Sequence, residues 1–174
     1  NYSTGTSAGD YIGRVVILND NLSPTGFDNI TTGAPYPYYT QYPASGNTTT
    51  TLAAGQYYKL RLAAGTNPSS NYLAAWIDYN RDSLFTDNEK VKQVGPYGAY
   101  PDLGATSGTI WIPFFVTNGL TRMRIREVRG GTNISPCDTE VYGETEDYFI
   151  TLSNGLPPIP LVFNWSSGTS PSSG

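Results

Sequence analysis

Apolar and polar positions alternate along most of this chain of 174 residues, in short runs separated by Gly, Pro, Asn and Asp. The runs fall at 11–18, 36–42, 48–53, 56–63, 72–79, 109–115, 121–128 and 147–152, and a period of two rich in β-branched and aromatic residues predicts a strand at each. Between them no segment keeps an apolar 3,4 spacing for the ten or more residues that an independent helix needs. Residues 87–94 offer one turn. Leu52-Ala-Ala-Gly55 and Leu62-Ala-Ala-Gly65 predict two neighbouring strand ends, each closed by a Gly turn, in a local meander. Within 121–128, Met123 and Ile125 alternate with Arg122, Arg124 and Arg126, so the strand is expected to have a buried side and a wet side. The arginine side reads either as a solvated face balanced by nearby Asp and Glu or as a receiver for a carboxylate or sulfate.

Composition supports the all-β reading. Nineteen glycines, thirteen prolines, thirty-six Ser/Thr and fourteen tyrosines stand against three lysines, and the chain has no histidine. Histidine-based catalysis and histidine metal ligation are thereby excluded. A net charge of -4 leaves no basic surface for a phosphate backbone, so nucleic acid is not an expected partner. The longest apolar stretch, 110–116, falls far short of the ~20 residues of a membrane-spanning helix. No membrane insertion is expected. The sequence opens at Asn1 without Met or a charged-then-apolar leader, which reads as a processed product or a piece of a longer chain. Cys137 has no internal partner, and is either a buried free thiol or bonded to another part of a parent chain.

The sharpest motif is Asp78-Tyr-Asn80-Arg-Asp82-Ser83-Leu84-Phe85-Thr86-Asp87-Asn88-Glu89. Oxygen-bearing side chains fall at positions 1, 3 and 5, the Leu84 carbonyl at 7, Thr86 at 9 and Glu89 at 12. This is the spacing of a twelve-residue calcium loop. A hard cation takes six to eight oxygens, and a tight loop turns alternate side chains inward while a terminal carboxylate closes the shell. Asp78, Asn80, Asp82, Leu84 and Glu89 are therefore the expected ligands of Ca2+. Position 6, normally Gly for its positive φ, is Ser83, so the turn is expected to be relaxed or modestly strained. With a strand and no helix before it, such a loop is a structural clip and carries no implication of sensing.

A second acidic cluster, Gly143-Glu144-Thr145-Glu146-Asp147-Tyr148, precedes the last run. Its carboxylates can be read as a glycosidase pair, a structural turn or a further metal contact. Asn-X-Ser/Thr triplets occur at Asn1, Asn21, Asn29, Asn47, Asn133 and Asn164, and Asn21, Asn29, Asn47 and Asn133 are candidate glycan acceptors. Tyrosine-rich segments such as 36–39 and 97–100 suit either sugar stacking or cross-strand packing. From Asn154 the composition shifts to Pro, Ser and Gly around the apolar run Leu161-Val162-Phe163-Asn164-Trp165. Leu161, Val162, Phe163 and Trp165 would make a sticky strand that begins a next domain or pairs with a sheet edge of a neighbouring copy.

Taken in order, Tyr11-Ile12 with Val15, Leu52-Ala-Ala-Gly55 leading into 57–62, Trp76-Ile-Asp-Tyr-Asn80 with Asp82, Phe85 and Glu89, the turn from Ile112-Pro113 to Gly119, Thr121-Arg-Met-Arg124, Pro136-Cys137 and Gly143-Glu-Thr-Glu-Asp-Tyr148 resemble the GEVED domain, over roughly residues 1–153. The resemblance implies a β-sandwich accessory module of secreted and cell-surface bacterial proteins, without catalysis of its own. Members often carry a cysteine near the domain start, where this chain has Tyr2-Ser3. The combined expectation is an all-β antiparallel β-sandwich, jelly-roll-like, over 1–153 with a linker or inter-subunit extension at 154–174. Its expected role is that of a calcium-stabilised extracellular structural or adhesive module, secreted or on a cell surface, with neighbouring domains, copies of itself or glycans as partners. The alternative is a carbohydrate-binding accessory module of a secreted hydrolase.

Overall fold

The structure is a computed structural model that describes residues 3–5, 9–65, 70–95 and 108–154. It is all-β, with eleven strands and two short 3-10 turns among the described residues. The strands are β1 (Ser3–Gly5), β2 (Ile12–Asn19), β3 (Pro24–Ile30), β4 (Tyr39–Gln41), β5 (Thr51–Ala53), β6 (Tyr57–Ala64), β7 (Asn71–Ile77), β8 (Lys90–Val94), β9 (Gly108–Trp111), β10 (Gly119–Arg129) and β11 (Glu140–Ser153). They form two sheets. One is four-stranded and antiparallel, in the order β3-β2-β6-β9. The other has seven strands, with β1-β11-β10-β7-β8 as its path and β4 and β5 also on β11.

The larger sheet departs from a purely antiparallel design. β11 pairs antiparallel with β10 along its length, while its other edge is tiled by three short parallel strands. β1 meets it at Glu140 and Tyr142, β4 at 145–147 and β5 at 151–153. Short edge strands limit the length of unpaired backbone that a sheet presents to other chains.

Side chains alternate across each strand, so the two sheets bury one face of each against the other. Ile12, Val15, Ile17, Leu60 and Leu62 of the smaller sheet meet Leu73, Ala75, Ile77, Met123, Ile125, Tyr148 and Ile150 of the larger in one core. A second, smaller cluster lies on the outer face of the larger sheet, where Trp76, Ala74 and Val128 pack with Phe85 and Ile134. The larger sheet is thus covered on both sides.

This corrects the expectation of a wet arginine face. Arg124 and Arg126 are only 3% and 1% exposed, because the chain between β10 and β11 and the Phe85 loop fold over them. Arg124 grips Asp147 with two bonds of 2.7 Å, donates to the Pro136 carbonyl at 3.0 Å and lies 4.6 Å from the Phe85 ring. Arg126 donates to Thr145 Oγ1 and to the carbonyls of Ser135 and Asp138. Burial pulls its pKa below the ordinary guanidinium value. Strand alternation sorts faces, and does not tell which face the loops will cover.

β3 and β8 were not expected as separate strands. β3 carries Pro24, Gly26, Asp28 and Asn29, residue types depleted in strands, and buries only Phe27 and Asn29. The helical turn expected at 87–94 is confined to a 3-10 turn at Asp87–Glu89, after which the chain straightens into β8. Cys137 is exposed, so the buried-thiol reading fails. No helix among the described residues is long and apolar enough to cross a membrane. The candidate contact residues Leu161, Val162, Phe163 and Trp165 lie outside the described residues.

Candidate functional site

The acidic loop leaves the end of β7 and returns into β8. Asp78 N donates to the Arg122 carbonyl at 3.0 Å, and Thr121 Oγ1 donates to the Asp78 carbonyl at 2.6 Å, which fixes the first loop residue against β10. Asp78 Oδ2 accepts from Ser83 N at 3.1 Å. Asn80 Oδ1 accepts from Asp82 N at 2.9 Å, and Asp82 Oδ1 accepts from Leu84 N at 2.8 Å. Each of these is a side chain turning the backbone two to five residues on, the local competition that makes Asp and Asn loop formers. Arg81 and Ser83 have φ of 61° and 69°, so position 6 adopts the left-handed conformation that the spacing calls for without the glycine that relieves it.

Phe85 anchors the far side of the loop in the outer cluster. Glu89 then closes it in a capping box: Oε2 accepts from Thr86 N at 2.9 Å and Thr86 Oγ1 at 3.0 Å, and Oε1 accepts from Tyr79 N at 3.1 Å. Glu89 is 5% exposed. It is chiefly a strut, with one lone pair left on Oε1.

The fit to a cation is mixed in an informative way. Asp78 Oδ1 is buried without a hydrogen-bond partner, and such an atom is costly unless something else satisfies it. A cavity of about 180 Å³ beside it is lined by Asp78, Arg81, Ser83, Leu120, Thr121, Arg122 and Phe149. Arg81 donates to the Asn118 carbonyl and Arg122 to the Ser83 carbonyl, so two guanidinium groups offset part of the loop's charge. Among the described residues, no group of three His, Cys, Asp or Glu side chains is assembled as a metal shell. Within the loop the hydrogen bonds link Asp78 to Ser83, Asn80 to Asp82 and Asp82 to Leu84, while Glu89 is engaged by Tyr79 and Thr86.

The second acidic cluster forms the middle of β11 and alternates across the sheet. Gly143 has φ 150°, and a Cβ there would overlap the Glu127 carbonyl oxygen, so the position requires glycine. Glu144 Oε2 accepts from Ile12 N at 2.8 Å and so ties β2 of the opposite sheet to β11. Glu146 accepts from Tyr42 Oη at 3.0 Å and Tyr148 Oη at 2.5 Å, while Asn29 Nδ2 donates to Tyr148 Oη at 2.8 Å. Asp147, on the outer face, holds Arg124 and accepts from Tyr39 Oη at 2.9 Å. Glu144 and Glu146 are 2% and 0% exposed, which gives a sugar ring no route to them and removes the basis for a glycosidase pair. Burial raises both carboxyls above their ordinary range.

The remaining candidates divide by exposure. Asn21, Asn47 and Asn133 are at the surface, whereas the Asn29 amide is buried and committed to Tyr148, which leaves it inaccessible in the folded chain. Tyr39 and Tyr42 are structural. Tyr36 is 82% exposed and meets Tyr38 edge-on at 5.7 Å. A larger aromatic surface, not anticipated from the tyrosine runs, gathers Tyr57, Trp111, Phe114 and Phe115, with Trp111 and Phe114 edge-to-face at 5.8 Å. Tyr57 and Trp111 are opposed across β6 and β9, an adjacency that strand pairing creates and local sequence does not show.

No curated protein matches the chain. The family model of the GEVED domain, a β-rich accessory module, matches residues 72–151, from β7 through the acidic loop and β10 into β11. That stretch contains both distinctive motifs, Trp76-Ile-Asp-Tyr-Asn80 and Gly143-Glu-Thr-Glu-Asp-Tyr148. Over residues 72–151 the chain is similar to the GEVED domain.

Proposed function

We propose that this protein is a non-catalytic extracellular structural or adhesive module, part of a larger or polymeric secreted or cell-surface protein, whose loop at 78–89 is clipped by Ca2+. The observation that carries the metal reading is the buried, unpartnered Asp78 Oδ1 at the head of a loop with calcium-type spacing. Asp78, Asn80 and Asp82 would supply side-chain oxygens and Leu84 its carbonyl, with Glu89 contributing through its remaining lone pair. The ion supplies positive charge to a loop rich in Asp and Glu and adds stability by mass action. Millimolar extracellular calcium suits a loop of this kind.

The test is thermal unfolding of the full chain in excess calcium and in chelator, beside Asn80→Ala/Asp82→Ala. The wild type is expected to melt about 5–10 °C higher at a hundredfold excess of calcium over Kd, and the variant to lose the part of that shift due to the loop. Identical calcium responses in wild type and variant would remove the loop from the metal reading.

The exposed aromatic group Tyr57, Trp111 and Phe114 favours the second reading, carbohydrate binding, because flat rings offered to solvent stack on sugar faces. Retardation on a polysaccharide affinity gel that disappears in Trp111→Ala would support it over the purely structural role.

A further inference from the structure

At one end of the space between the sheets, the inner face of the larger sheet carries acids in place of apolar residues. Glu127 has the same strand parity as Met123 and Ile125, so it points inward, and it lies directly opposite Glu144 across β10 and β11. Opposed side chains on one face start about 4.5–5.5 Å apart at Cβ. Glu127 is 1% exposed and Glu144 2%, while Asn71 and Asp10 beside them are 0% exposed. Asn71 Nδ2 donates to Asp10 Oδ1 at 3.3 Å, and Arg129 reaches Asp10 Oδ2 at 3.5 Å.

Four buried oxygens of this cluster have no hydrogen-bond partner: both oxygens of Glu127, Oε1 of Glu144 and Oδ1 of Asn71. Native proteins rarely leave one such atom unsatisfied, and here four fall together. They are all hard oxygen donors, and the chain has no histidine to add a softer one. When both are ionised, Glu127 and Glu144 together carry the charge that one divalent cation offsets.

We propose that Glu127, Glu144 and the Asn71 side-chain oxygen bind a calcium ion between the two sheets, with Asp10 orienting the Asn71 amide from behind. Two facing carboxylates and an amide oxygen are the core of this set. The site is independent of the loop at 78–89. It also joins parts of the chain that the family match separates, since Asn71 and Asp10 lie outside residues 72–151 and Glu127 and Glu144 within them. Glu144 already ties β2 to β11, so an ion here would fasten the sheets at their acidic end. Without metal, burial and the charges of Asp10 and Glu144 push the Glu127 carboxyl up to about 9, so protons occupy the site in its place.

Native mass spectrometry of the full chain in calcium, with melting curves in calcium and in chelator, separates the two sites. In the loop-disabled Asn80→Ala/Asp82→Ala background the chain is expected to keep one calcium ion and a chelator-sensitive melting temperature, and adding Glu127→Gln or Glu144→Gln is expected to abolish both. A loop-disabled chain that binds no calcium and melts identically in chelator would overturn the proposal, leaving two protons as the site's occupants. Retention of the ion in both glutamine variants would overturn it equally. Should either variant fail to fold by far-UV circular dichroism, the ion count of the loop-disabled chain decides alone. Failure of the loop reading looks different: the wild type and the loop-disabled chain then hold the same number of ions.

Discussion

Ser83 sits at φ 69° at the loop position where glycine is free of the Cβ penalty. The side chain costs about 1–2 kcal/mol in that conformation, and glycine returns part of the gain through the greater freedom of the unfolded chain. Ser83→Gly is therefore expected to stabilise the protein by about 0.5–1 kcal/mol in urea unfolding, and a loss of stability would mean that the Ser83 side chain makes a contact worth more than the strain. The need for a positive φ here was legible from the twelve-residue spacing alone. Glu89 was not legible in the same way. Its distance from Asp78 marks it as a ligand, while its hydrogen bonds to Tyr79 and Thr86 come from a capping box that the spacing equally permits. Glu127 had a signal that went unread: it continues the inward parity of Met123 and Ile125, so its burial follows from the same alternation that predicted the strand.

At the scale of elements, the pairing of β10 with β11 carries a polar layer that sequence reasoning placed in solvent. Arg124 and Asp147 face each other in register and are both almost fully buried. Removing one member of such a pair strands the other charge, a loss of about 3–5 kcal/mol, whereas replacing both by apolar residues is often near neutral. Arg124→Met should thus cost about 3–5 kcal/mol in urea unfolding, and Arg124→Met/Asp147→Leu should recover most of it. Equal losses in the single and double variants would show that Arg124 acts mainly through Phe85 and the Pro136 carbonyl. β6 was readable because its apolar residues alternate, and β2 and β7 because they are short apolar runs bounded by turn residues. β3 was not, since its Pro, Gly, Asp and Asn are held by pairing with β2 and not by propensity.

For the whole molecule, the buried carboxyls make stability depend on pH. Glu127, faced by Asp10, Glu144 and Arg129, has its pKa raised from 4.5 to about 9, chiefly by burial. Glu144, facing Glu146 and the Ile12 amide, and Glu146, facing Tyr42 and Tyr148, shift in the same direction. A raised carboxyl pKa means that the folded chain holds protons which the unfolded chain has released. The contribution is intact below about 4.5 and is lost as pH rises towards about 9. In metal-free buffer the urea midpoint should fall between pH 5 and 9, and a rising midpoint would show that these groups are charged and compensated in the folded state. The overall architecture was legible because strand periodicity dominates the chain. The closure of its acidic end was not, since Asp10, Asn71, Glu127 and Glu144 come from four separate stretches that only the completed sandwich brings together.

The three short strands along the free edge of β11 set a constraint on how the protein can be made. β1, β4 and β5 come early in the chain, and their common partner is the last strand described. During synthesis from the N-terminus they emerge with nowhere to dock until residues 140–153 have left the ribosome. Conversely, a fragment limited to residues 72–151 would carry β11 with one flank stripped, exposing backbone donors and acceptors to any similar chain it meets. The matched segment is expected to be soluble only in company with the N-terminal strands that shield it.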